Sequence, residues 1–375
     1  MIVDQRLSYL AKHLVEHSVA IRPGESVLIN ATDTPYQFVN LIVREVFAAG
    51  GYPFVNIVEP RMERLIRERG DGELFRRMAR YTEALIEDMD AIITVSSPDN
   101  YYEMVGLDKG QSRAYGESFA AVSEKRRKKR WVSLRYPNTG LCALVRRDSE
   151  SFEEYFFEIC CIDYRKFNEL MTPLADLIAR TDKVRITGKG TDLTFSVKGI
   201  GAVKCSGEKN IPDGEVYTAP VKESVNGVIT YNIPSRRGNV TYRDVRLVFE
   251  NGRIVEATAN ETDLLNQILD LDEGARYVGE FSIGLNPFVY KITGEPLFDE
   301  KTWGSIHFTP GNSYEDADNG NRSRLHWDLV LYQGEEGGGE IWFDDVLIRK
   351  DGAFVLPELE GLNLIPLYEA LRLKE

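Results

Sequence analysis

Apolar residues recur at helical spacing in the first twenty positions. Leu7, Leu10, Ala11, Leu14 and Val15 share one face, which predicts an amphipathic helix over 4–20. The period then changes. SVLINA (26–31) is a short apolar run that reads as a buried strand, and Arg22-Pro23-Gly24-Glu25 before it reads as a turn. Thr34-Pro35 opens a helix to about Ala49, Gly50-Gly51 ends it, and YPFVNIV (52–58) reads as the next strand. Strand, helix, strand implies a parallel pair joined by a crossover. The same grammar continues through a charged helical region (60–89), AIITVS (91–96), WVSLRY (131–136) and a helical stretch over 151–180.

After residue 183 strands follow one another directly. KVRITGK and DLTFSVKG come first, and Asn251-Gly252 and Asp351-Gly352 each separate two apolar runs, a strong hairpin signal. One helix, about 260–273, interrupts, and the Gly-rich QGEEGGGEI (333–341) predicts a flexible connection. The expected architecture is an α/β N-terminal domain with an open, mostly parallel sheet (1–182), followed by a β-rich α+β C-terminal domain (183–375).

Composition narrows the function. The formal net charge of −13 disfavours nucleic acid, whose phosphates need a basic surface. The one basic run, Lys125–Arg130, reads as a solvated helix end. No run of about 18 apolar residues occurs, so no membrane span is expected. The opening MIVDQRLSYLAKHL does not read as a signal peptide, and Cys142, Cys160, Cys161 and Cys205 have no zinc-like spacing. A cytoplasmic protein with reduced thiols is expected. Gly106, Gly110 and Gly116 do not make a dinucleotide fingerprint, so no such cofactor is implied.

The chemistry concentrates in four histidines and their acidic neighbours. His13 and His17, four apart on the first helix, read as solvated or capping residues. His307 and His326 differ, because a carboxylate follows the second as His326-x-Asp328. In an extended segment these two side chains share a face, while Leu325, Trp327 and Leu329 take the other. Imidazole and carboxylate together are common ligands of zinc and its neighbours. Glu215, after a turn at Asp213-Gly214, and Glu280, in YVGEFS, are acids at otherwise apolar strand positions. Each needs a cation, a donor or water, and Arg276 or Lys222 could be an ion-pair partner. Five ligands (Glu215, Glu280, His307, His326 and Asp328) exceed one tetrahedral zinc and suit two ions sharing a carboxylate and a water. Tyr314 could donate to an oxyanion, and Glu300 is a candidate general base.

The segments DGEVYTAP, GARYVGEFSIGLNP, DEKTWGSIHFTPGNSY and SRLHWD resemble the metallo-aminopeptidases of the aminopeptidase T and S group, the M29 family. SVAIRPGESVLINATD and AAGGYPFV extend the resemblance over nearly the whole chain. It implies metal-ligating roles for Glu215, Glu280, His307, His326 and Asp328, and a catalytic role for Tyr314. It also implies release of N-terminal amino acids from peptides, two divalent ions (usually zinc, with cobalt, manganese or magnesium able to activate) and a homodimer. The family's DENASCH-like segment places its catalytic glutamate five residues before the histidine. Here that position is Thr302 and Glu300 lies seven back, which marks a divergent branch.

Two other readings use the same residues. His307, His326 and Asp328 alone would form the two-His, one-carboxylate set of a mononuclear Fe(II) oxygenase, like the related ring-cleaving dihydroxypyridine dioxygenases. Convergence of Glu215 and Glu280 on the histidines would favour the dinuclear hydrolase. A third reading keeps the fold as a peptide-binding or scaffold protein without turnover.

Overall fold

A computed structural model of the chain describes residues 4–290, 292–334 and 337–373. By internal contact the chain forms two compact units, Met1–Cys161 with Gly207–Ile211, and Ile162–Ser206 with Pro212–Glu375.

The first unit is built on a parallel sheet. Its strands lie in the order Tyr52–Val58, Ser26–Thr32, Ala91–Ser96, Arg130–Arg135 and Asn210–Ile211, all paired in parallel. Val27, Leu28, Ile29, Ile92 and Ile93 are buried because helices cover the central strands, with Ala79, Ile86 and Val122 packed against Leu28 and Ile92. The helical region expected over 60–89 consists of two helices, Pro60–Arg69 and Gly72–Glu87. Asp71, between them, caps the second by accepting from the Leu74 N–H. The first helix runs Gln5–His13 and widens into a π-helical turn over Leu14–Ser18. His13 and His17 stack there with ring centroids 4.5 Å apart. His13 is buried, so the solvated reading of this residue does not hold. The basic run is also only partly solvated, since burial lowers the pKa of Arg126 and Arg130 donates to the carbonyls of Val19 and Ala20.

The second unit holds two main antiparallel sheets and a two-stranded antiparallel ribbon, Ser235–Arg237 with Val240–Tyr242. The larger has eight strands and includes both expected hairpins, Arg246–Glu250 with Arg253–Thr258, and Val346–Lys350 with Ala353–Phe354. Asn251 and Gly252, and Asp351 and Gly352, all take positive φ, as two-residue primed turns require. The Gly-rich connection predicted over 333–341 lies partly outside the described residues, at 335–336.

The smaller sheet runs Val330–Tyr332, Ser305–Pro310, Val278–Gly284, Glu215–Thr218 and Val203–Cys205. Its two faces have opposite chemistry. Phe281, Ile283, Ile306 and Phe308 alternate onto the face that meets the larger sheet, where Phe195 packs 5.1 Å from both Phe281 and Phe308. Phe249 reaches Phe308 from the same side. The alternate residues therefore line the other face, and those are the polar ones.

Candidate metal centre

Register assembles the polar face. Ser282, in the central strand, faces His307 on one side and Tyr217 on the other, while Glu280 faces Thr309 and Gly284 faces Glu215. Three strands thus present Glu215, Glu280, His307 and Thr309 together. A positive φ of 132° at Gly214, with the Phe167 ring where a Cβ would sit, turns the chain so that Glu215 starts its strand. His326 enters from outside the regular strands. It forms a single antiparallel bridge with Gly311, whose φ of 112° and contact with the Leu325 carbonyl leave no room for a side chain. The expected alternation survives there: Leu325, Trp327 and Leu329 are buried, and His326 and Asp328 face the site partly exposed.

Distances divide the acids and histidines into two sets. His307 Nε2 lies 3.0 Å from Glu280 Oε1 and 3.5 Å from Glu215 Oε2. His326 Nε2 lies 3.4 Å from Glu280 Oε2 and 3.3 Å from Asp328 Oδ1. Each set offers three ligand atoms within 4.8 Å of one another, and Glu280 belongs to both, one oxygen to each side. The expected partners Arg276 and Lys222 are elsewhere. Arg276 pairs with Asp270, and Lys222 lies over the Tyr277 ring.

Protonation follows from this crowding. Burial works against a charged His307, yet the carboxylates of Glu215 and Glu280 raise its pKa to about 10. Burial likewise opposes ionised Glu280, but its hydrogen bonds to both histidines hold it below the usual carboxylate range. The Nδ1 atom of His326 is 2.9 Å from the Asn312 carbonyl, which only accepts, so Nδ1 carries the hydrogen and Nε2 is left to face Glu280 and Asp328. Nδ1 of His307 has no partner among the described residues. Thr309 Oγ1 donates to Asp328 at 2.7 Å.

Sequence reasoning missed Lys301. It is 1% exposed, and its ammonium lies 2.6 Å from Glu215 Oε1, 2.9 Å from Glu300 Oε1 and 3.4 Å from Asp213 Oδ1. Burial alone would lower its pKa; Glu215, Glu300 and Asp213 instead drive it well above the usual value. Its only signal in the sequence is its place beside Glu300, because Asp213 and Glu215 lie more than eighty residues upstream. Ser282 was missed too, and its hydroxyl donates to Glu215 Oε2 at 3.1 Å.

Glu300 follows the short helix Pro296–Asp299. The backbone N–H of Asn286, just past the central strand, donates to the Lys301 carbonyl at 2.9 Å, so this turn is held at the strand's end. Glu300 is buried, and burial pushes its carboxyl up to about 8 against the pull of Lys301. Tyr314 is partly exposed, with its ring 4.7 Å from the His326 ring and 5.9 Å from Tyr217.

The family described as thermophilic metalloprotease (M29) matches residues 3–353. Aminopeptidase AmpS of Bacillus subtilis (strain 168) is 26% identical over 371 residues, covering 87% of this chain and 89% of that protein. Among solved structures, wild-type AmpT from Thermus thermophilus superposes with a TM-score of 0.77 at 23% identity, covering 94% of this chain and 99% of the other. The 2,5-dihydroxypyridine dioxygenase of Pseudomonas putida KT2440 gives 0.57 at 14% identity, covering 96% and 100%. Both structures share the fold, and the first shares it more closely.

Proposed function

The chain belongs to the M29 family of metallopeptidases and is a peptide hydrolase, and on that premise we propose that it releases N-terminal residues from peptides using two divalent metal ions held by Glu215, Glu280, His307, His326 and Asp328. The observation that carries the two-ion reading is Glu280, one oxygen beside His307 and the other beside His326. The donor chemistry fits. Imidazole and carboxylate suit zinc, with cobalt, manganese or magnesium as substitutes, and His307 turns Nε2 onto two carboxylates while its Nδ1 has no hydrogen-bond partner among the described residues.

Bound there, such ions would polarise the scissile carbonyl and lower the pKa of a water to near neutrality. The protein's own groups supply the rest. Glu300 takes a proton from the attacking water and returns one to the leaving amine. Its environment suits that work, since a base that titrates near 8 can both accept and release a proton near neutral pH. The Tyr314 hydroxyl donates to the oxyanion, and the acid-rich site favours a substrate's free α-ammonium. A single iron held by His307, His326 and Asp328 would have Glu280 between its two histidines, with oxygens 3.0 and 3.4 Å from their Nε2 atoms, and a second carboxylate there departs from the two-His, one-carboxylate set, which weighs against the oxygenase reading.

The test is a panel of dipeptides and aminoacyl amides, assayed after loading the metal-free protein with Zn, Co, Mn or Mg. Absence of amino-acid release with every metal would reject the aminopeptidase, and one iron per chain in the purified protein would reject the two-ion centre.

The raised pKa of His307 sets a pH dependence. Below about 10 the metal-free ring is protonated, so an ion must displace that proton to reach Nε2. Apparent Zn²⁺ affinity should therefore rise with pH from roughly 6 to 9, with proton release on binding. Calorimetry in buffers of different ionisation enthalpy reads this directly, and a pH-independent affinity would contradict it.

The proposed homodimer has support in the edge strand Tyr52–Val58. It pairs on one side with Ser26–Thr32, and it exposes Tyr52, Phe54, Val55 and Ile57. An apolar open edge is a liability unless covered, and self-association about a two-fold axis covers it. Sedimentation across a concentration series checks this. A cytoplasmic location is in keeping with four free cysteines; no helix among the described residues is long and apolar enough to cross a membrane.

A further inference from the structure

The two ligand sets share Glu280 but are not built alike. In the outer set (Glu280, His326, Asp328) the supporting contacts are complete. His326 Nδ1 donates to the Asn312 carbonyl and Thr309 donates to Asp328, the kind of support that orients a ligand and raises its basicity. In the inner set (Glu215, Glu280, His307) they are not. His307 Nδ1 lacks an acceptor among the described residues, and one oxygen of Glu215 is already taken by a buried cation, Lys301.

We infer that Lys301 is a positioning residue that makes the inner ion position the weaker of the two. This rests on the two-ion reading above. By holding Oε1 at 2.6 Å, Lys301 restricts Glu215 to offering Oε2, the oxygen 3.5 Å from His307 Nε2. Its fixed positive charge also opposes a dication beside Glu215, in surroundings where charges are poorly screened. No lysine or arginine lies within ion-pair distance of the outer carboxylate Asp328 among the described residues. The outer position therefore fills first, and the inner ion is the exchangeable one.

Titration of the metal-free protein with Co²⁺, followed by calorimetry and by visible absorption, tests the inference. The wild type should bind in two steps, the second at least about tenfold weaker. In Lys301→Met the weaker step should tighten by about tenfold or more while the first stays put. His326→Ala, at a partly exposed position, should lose the tight step and keep the weak one, and it carries the test should Lys301→Met fail to fold. Two equal steps in the wild type, an unmoved weaker step in Lys301→Met, or loss of the weak step in His326→Ala would each overturn the inference and leave the two-ion centre standing. A single step at saturating Co²⁺ in the wild type and in Lys301→Met would overturn the two-ion reading itself.

Discussion

Replacing Glu280 by glutamine is expected to strip the protein of both ions and to lower kcat/KM by about four orders of magnitude or more. Glu280 is the one side chain common to both ligand sets, and its oxygens divide between His307 and His326. An amide has the same shape, but it carries no charge and turns one ligand atom into a donor. It would leave His307 with one ionised carboxylate where it now has two, and His326 with Asp328 alone. The substitution is close to isosteric at a buried strand position, so secondary structure should persist. Metal analysis and single-substrate kinetics on the folded variant read the result. Glu215→Gln is the control, because Glu215 stands beside His307 and is not in the set of His326 and Asp328; it should cost one ion, not two. A Glu280→Gln protein that still carries two ions would refute the shared-carboxylate arrangement.

Glu300→Gln should lower kcat by about 10² to 10⁴ while metal content and KM stay near those of the parent. The split matters because Glu300 touches Lys301 and not a histidine. If its role is proton transfer, removing the carboxylate slows the chemical step and leaves ion binding intact. If it only supports Lys301 and through it Glu215, ion affinity changes and kcat at saturating metal recovers. The pH profile gives a second reading. In the metal-free site burial raises the Glu300 carboxyl to about 8, and cations bound at the neighbouring carboxylates would draw it down, so in the loaded enzyme the base should ionise below that value. An acid limb in the rate that vanishes in the glutamine variant would tie the limb to this residue. Unchanged kcat would assign the proton transfer elsewhere.

Much of the architecture was legible in local pattern. AIITVS (91–96) is a strand from end to end, and both hairpins turn where Asn-Gly and Asp-Gly stand. Those signals are short-range: a run of apolar residues, a pair that tolerates positive φ. The helical region over 60–89 is helical as expected, and the break at Gly70-Asp71 divides it into two helices. His13, expected to be solvated or capping, is buried, and the helix widens just after it at Leu14, a π-turn that no pattern on one face of a regular helix reveals.

At the candidate centre the residue types were legible and their grouping was not. Alternation placed His326 and Asp328 on one face, and acids at apolar strand positions singled out Glu215 and Glu280. Alternation decides which face of its own strand a side chain occupies. It does not say which strand lies alongside. The antiparallel register that sets Ser282 opposite His307 and Gly284 opposite Glu215 divides the five side chains into two sets around Glu280. Lys301 was invisible for the same reason. In the sequence it is one lysine beside Glu300, and only the closing of the chain onto Asp213 and Glu215 makes it a buried cation. Local pattern accounts for the longer strands, the hairpin turns and a supply of imidazole and carboxylate. The tertiary structure alone decided which carboxylate is shared and which is held by an ammonium, because those facts depend on pairing between segments tens of residues apart, and local periodicity carries no information about that pairing.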